Sequence, residues 1–236
     1  MSYTHDHPMA RLIAENYPLL QVMSRFGIKV GFGDKTVEEV CADNGVHTST
    51  FLAVVNYTLY HYLPAETLQR LFSPGELEKC IVSLLQYLGQ SHSYFLDFFL
   101  PSIRRKLQEG MGGLLKSEVS LLIMKFFDDY TEEMSRHMNF EEEKVFSFAG
   151  KLLEGERMQV FRLSTYSEHH EEVASKLKEL KRLIIKYCPE GADVNLLNAA
   201  LYDIYRCEDE LESHCRIEDH LFVPALQRLE KEVAGK

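Results

Sequence analysis

Two copies of one spacing carry the chemistry of this sequence: His137-x-x-x-Glu141 and His214-x-x-x-Glu218. Residues four apart on a helix lie one turn above each other on the same face. Each pair therefore presents an imidazole and a carboxylate side by side. Two further histidines, His92 and one of the tandem His169-His170, precede them at helical positions. Facing one axis, four histidines and two glutamates form a nitrogen and oxygen donor set large enough for two metal ions. Donors of this kind without thiolate suit iron or manganese, with zinc behind them. The two glutamates are placed to bridge the ions, and two histidines complete each. Open positions on each ion imply small-molecule chemistry with dioxygen, nitric oxide or peroxide, or the loading and loss of metal.

A single His-x-x-x-Glu on a helix is most often a surface ion pair. What separates these two from that reading is the apolar seam on which they stand. Four segments have helical periodicity and almost no alternation of the strand type. The first, about 75–109, places Ile81, Leu85, Leu88, His92, Phe95 and Phe99 on one stripe. The second, about 114–150, has Ile123, Phe127, Tyr130, Met134, His137, Glu141 and Phe148. The third, about 159–187, carries Tyr166, His170, Val173, Leu177, Leu180 and Ile184. The fourth, about 193–231, carries Leu197, Ala200, Ile204, Cys207, Leu211, His214, Glu218, Leu221 and Ala225. Such stripes mark helices packed in a bundle, and four with three turns between them predict an all-α, antiparallel up-down-up-down arrangement.

A carboxylate in an apolar seam is costly unless it is paired, and metal coordination removes that cost. The intervals agree: His92 to His137 is 45 residues, His137 to His170 is 33 and His170 to His214 is 44. Antiparallel neighbours with these intervals return every ligand to one level. The expected metal ligands are therefore His92, His137, Glu141, His170, His214 and Glu218. His170 lies on its stripe and His169 to one side, so the tandem is decided for His170 with His169 as its rival. Glu142, Glu143, Asp219 and His220 adjoin the ligands but sit off the axis, as solvated groups or outer partners of the ligands. His5, His7, His47 and His61 fall outside the bundle. Cys207, Cys215 and Tyr130 are expected to pack rather than to ligate.

The bulk numbers bound the remaining possibilities. The chain has 236 residues, 45% apolar and 26% charged, ordinary values for a globular protein. No apolar run approaches the roughly 20 residues that span a bilayer. MSYTHDHPMARL lacks the apolar core of a signal peptide. The five cysteines form no C-x-x-C pair and are expected to be thiols in a reducing, cytoplasmic setting. A net charge of -10 disfavours nucleic acid. LPAETLQRLFSPGELEKC, with Pro64 and Pro74, reads as a hinge and helix start. It divides a small helical N-terminal domain, residues 1–66, from the bundle, residues 75–236. Gly27 to Asp34 breaks the N-terminal part with a glycine-rich turn. Glu38 to Tyr60 also has the outline of a helix-turn-helix, though basic residues are sparse from Val46 to His61.

His137-Met-Asn-Phe-Glu141-Glu-Glu-Lys-Val-Phe and His214-Cys-Arg-Ile-Glu218-Asp-His-Leu-Phe-Val-Pro resemble the blocks of the hemerythrin-like domain in the repair-of-iron-centres family. Ser91-His92 leading to Leu100-Pro101, and Glu168-His169-His170-Glu171-Glu172, are similar to its first and third ligand regions. Ser24-Arg25-Phe26-Gly27-Ile28, Lys35 to Cys41 and Asn44-Gly45-Val46 resemble the small domain that precedes the bundle there. The resemblance implies a carboxylate-bridged, oxo-bridged di-iron centre held by the six residues named, with manganese or zinc as lesser alternatives. It implies repair or protection of iron–sulfur proteins damaged by oxidative or nitrosative stress, with those proteins as partners and room for a homodimer. The alternative is a hemerythrin-like binder or sensor of dioxygen or nitric oxide. Two departures stand out. The family's small domain has an adjacent cysteine pair where this chain has Gly31-Phe32, and a family histidine near the end of the first bundle helix is here Gly112-Gly113. That second point lies about 30 Å of helix beyond His92, too far to serve the same metal layer.

Overall fold

The computed structural model describes residues 2–156 and 168–235, with the backbone alone for 168–175. Among the described residues the regular elements are all helices and there is no strand; Pro8 and Thr36 form one isolated antiparallel bridge. The chain divides into two compact units, one of Met1–Ser91, Phe146–Phe161 and Arg216–Lys236, the other of His92–Val145 and Arg162–Cys215.

In the first unit, α1 (Met9–Glu15), α2 (Leu19–Arg25), α3 (Val37–Asp43), α4 (Thr48–Tyr60) and α5 (Ala65–Leu71) precede most of α6 (Leu77–Ser93). α3 starts where a capping box forms: Thr36 Oγ1 accepts from Glu39 N at 3.3 Å, and Thr36 N donates to Glu39 Oε2 at 2.8 Å. Two otherwise unpaired backbone donors are thereby satisfied. α2 ends at Gly27, whose φ of +75° suits a residue without Cβ. That turn lets Gln86 Nε2 donate to the Phe26 carbonyl at 3.1 Å. The stretch read as a hinge holds α5, started by Pro64 with its preset φ of -58° and stopped before Gly75 at φ +85°.

α6 departs from its expected stripe. Leu85 is only partly covered, whereas Cys80, Leu84 and Tyr87 are fully buried. The N-terminal helices cover a second face of α6: the Phe26 ring lies 5.0 Å from Tyr87 and 5.4 Å from Phe51. A helix buried on two sides needs a wider apolar arc than one seam.

The second unit is an antiparallel four-helix bundle. α7 (Leu100–Met111), α8 (Glu118–Phe140), α10 (Glu168–Tyr187) and α11 (Val194–Ile217) enclose a core that includes Ile103, Phe127, Leu180 and Ile204. Residues 112–117 and 188–193 make the short turns that reverse the chain. Ser117 caps α8 by accepting from Ser120 N at 3.2 Å, and Asp193 caps α11 by accepting from Asn195 N at 2.9 Å and Leu196 N at 3.0 Å. Ion pairs tie the four helices into a ring. Arg104 grips Asp128 through two bonds of 2.7 and 3.0 Å, joining α7 to α8. Lys176–Glu133 joins α8 to α10, Lys181–Glu208 joins α10 to α11, and Lys106–Asp203 returns to α7. The half-exposed Arg104–Asp128 pair adds at most about 1 kcal/mol, whereas Lys181–Glu208 is largely buried; the pairs select neighbours and the apolar core carries most of the stability. The seam residues of the second and fourth segments are buried as their spacing predicts, His137 being the one partly open.

Three long helices change pitch at or near a ligand candidate. α6 passes through a π-helical turn, Tyr94–Phe99, into α7. α8 passes through Glu141–Phe146 into α9 (Ser147–Leu153), and α11 through Glu218–Phe222 into α12 (Val223–Ala234). Pro101 and Pro224 account for two of these. Each lacks an N–H and its ring displaces the carbonyl four residues back, Asp97 or His220. No proline explains the third. π turns inside α-helices frequently mark functional sites, and each of these begins at a ligand candidate or within two residues of one.

Candidate metal centre

His92 lies one residue from the end of α6, Glu141 follows α8 directly, and His214 and Glu218 stand one turn apart on one unbroken helix. One ligand atom from each of His92, Glu141, His214 and Glu218 lies within 4.8 Å of the other three. Their exposures are 0, 0, 1 and 0% respectively.

Glu141 offers one oxygen to each of two imidazoles. Its Oε2 is 3.1 Å from His92 Nε2 and its Oε1 is 3.0 Å from His137 Nε2. That is how a carboxylate that bridges two ions is disposed. The His92 and His214 rings face each other at 5.2 Å and 58°, and Phe95 meets His214 edge-on at 6.0 Å. His137 stands at the rim, bonded to Glu141 but outside the tight group of four, its side chain 11% exposed. The expected third-helix ligand, His170, and its rival His169 have side chains outside the described residues, although the backbone of α10 runs through both.

The donor chemistry fits a cation. Two wholly buried carboxylates, Glu141 and Glu218, each face a desolvation penalty of several kcal/mol, which only opposite charge or good hydrogen bonds offset. Imidazole nitrogen and carboxylate oxygen together suit iron, manganese or zinc. The cysteines stay apart from this group: Cys207 is buried beside Tyr130, whose phenol is pushed well above its ordinary value by burial. Tyr130 remains a neutral packing residue.

Beyond the expected ligands, Glu142 Oε1 lies 3.0 Å from His92 Nδ1. The sequence left open whether Glu142 was solvated or an outer partner, because its angular position on α8 says nothing about a ring on another helix. Glu143 is exposed. Within the first unit, His220 Nδ1 contacts the Arg216 carbonyl at 3.1 Å and its ring lies 5.5 Å from Tyr57. Two of the remaining histidines, His47 and His7, hold local structure. His47 links Thr50 and Glu76, each at 2.8 Å, and His7 caps the first turn at Thr4.

All five cysteines are free thiols. Burial pushes Cys41 and Cys80 up to about 12 from 9.0, so the native state holds both protonated. A raised acid pKa contributes stability in full below pH 9.0 that is lost as pH climbs toward about 12. With a thiol-specific reagent at pH 8, exposed Cys188 is expected to react promptly, and Cys41 and Cys80 only after unfolding. Labelling of Cys80 in the native protein at the rate of Cys188 would contradict this.

Comparison with known proteins adds one match. Residues 83–226 match the family described as Hemerythrin, the Hemerythrin HHE cation binding domain. The match spans every ligand candidate from His92 to Glu218. No curated protein matches the chain.

Proposed function

Because the chain belongs to the hemerythrin HHE cation-binding domain family, we propose that it is a non-haem di-iron protein that repairs or protects iron–sulfur clusters damaged by oxidative or nitrosative stress. One observation carries the metal half of this reading: four buried histidine and glutamate side chains present ligand atoms within 4.8 Å of each other. His92, His137, Glu141, His170, His214 and Glu218 are the proposed ligands, with Glu141 and Glu218 as bridges. Bound iron would supply open coordination positions and one-electron chemistry toward small oxidants and nitric oxide. The protein's part is to desolvate the carboxylates, hold the imidazoles apart and close the site with Phe95 and the bundle core. Damaged iron–sulfur proteins are the proposed clients, in the cytoplasm, with the N-terminal helices serving docking or dimerisation.

A second reading has its own observation. The turn between α2 and α3 holds Gly31 and Gly33 at φ +103° and +62° and carries no cysteine. Without a thiol pair there, a hemerythrin-like binder of dioxygen or nitric oxide is favoured over a repair protein. Iron-loaded protein added to a peroxide- or nitric-oxide-damaged iron–sulfur enzyme separates them. Recovery of activity beyond that given by equal free iron supports repair. Reversible gas binding with no recovery selects the second reading.

A further inference from the structure

His92 is held at both of its nitrogens by consecutive residues of another helix. Nε2 lies 3.1 Å from Glu141 Oε2, and Nδ1 lies 3.0 Å from Glu142 Oε1. In a regular helix consecutive side chains diverge by about 100°. Here both fall in the π turn Glu141–Phe146, and the His92 ring lies between them. The two carboxylates differ in setting: Glu141 is wholly buried, whereas the Glu142 side chain is 49% exposed.

From this arrangement we propose that Glu142 is a positioning residue for the metal centre. A carboxylate only accepts, so the 3.0 Å contact places the proton on His92 Nδ1. The other ring nitrogen, Nε2, then faces Glu141 Oε2 at 3.1 Å, inside the ligand group. Glu142 therefore selects the tautomer that ligates, fixes the ring's rotation and adds negative charge behind the ligand. Outer carboxylates on ligand histidines have this effect generally, and their loss lowers metal affinity roughly 10- to 100-fold. Added negative charge also favours the more oxidised metal, so Glu142 lowers the reduction potential. The inference rests on the metal reading above and names what regulates that site.

The test uses full-length protein loaded with ferrous iron, compared with Glu142→Ala, Glu142→Gln and the exposed control Glu143→Ala. Iron affinity is read by competition with a chelator, and the reduction potential by spectroelectrochemistry. Melting of the chelated proteins monitors folding. Glu142→Ala is expected to weaken iron binding about 10- to 100-fold and to raise the potential. Glu142→Gln keeps an accepting oxygen, so its affinity should return toward wild type while its potential stays raised. Glu143→Ala should match wild type, and all four chelated proteins should melt together. If wild type holds iron while Glu142→Ala matches it in affinity and potential, this proposal alone is overturned. If wild type holds no iron, zinc or manganese, the metal reading falls and takes the proposal with it.

Discussion

Glu141→Ala is expected to strip the protein of the proposed metal pair while leaving the helices intact. The carboxylate is wholly buried and touches two imidazoles, at 3.1 Å and 3.0 Å, so no other residue and no water replaces it cheaply. Loss of an outer hydrogen-bond partner already weakens metal affinity about 10- to 100-fold. Loss of a residue that supplies two donor atoms should therefore exceed 100-fold, roughly, for at least one ion. Iron content should fall from two per chain to one or none, with loss of the charge-transfer absorption. The metal-free protein should behave oppositely. Removing a buried carboxylate lifts a desolvation penalty, and the small cavity left behind offsets part of that gain. The melting temperature of the chelated variant should thus stay near that of chelated wild type, with its far-ultraviolet circular dichroism unchanged. Two irons with an unaltered spectrum in Glu141→Ala would remove Glu141 from the site.

The second large effect is chelation of the wild type itself. An ion present at about 1,000 times its dissociation constant stabilises the folded state by roughly 4 kcal/mol, provided the unfolded chain does not bind it. For a chain of this length each kcal/mol moves the melting temperature by about 2–4 °C. Removing metal should lower it by on the order of 10 °C, and readdition of ferrous iron should restore it. The sign with pH follows from the ligands. Imidazole must be neutral and carboxylate ionised to bind, so binding releases protons. The difference between loaded and chelated protein is therefore present near neutral pH and shrinks on acidification. Differential scanning calorimetry with and without chelator measures it. A melting temperature that chelation leaves within about 2 °C would argue against a metal that shares in folding.

These expectations derive from residues whose roles were legible to different degrees. His214 and Glu218 were readable because they continue a stripe from Leu197 through Leu211 that is otherwise apolar, and that stripe is buried throughout. Glu141 was readable on the same ground. The register between helices rested only on intervals of 45, 33 and 44 residues; the fold brings one ligand atom from each of His92, Glu141, His214 and Glu218 within 4.8 Å of the others. Leu85 shows the limit on the apolar side. It is only partly covered, because Phe26 packs on Tyr87 and a different arc of α6, with Leu84 and Tyr87, is the one buried.

Glu142 shows the limit on the polar side. Nothing in its sequence position distinguishes it from exposed Glu143, yet it holds His92 Nδ1 at 3.0 Å. The π turns were equally hidden, apart from the prolines at 101 and 224 that force two of them.

By itself, then, the order of residues determined the helices, their seams and the ligand types, since these depend on a period of about 3.6 residues repeated along one chain. Tertiary structure alone decided which nitrogen meets which oxygen. Those distances arise between helices, where packing and changes of pitch set rotations that no local period encodes.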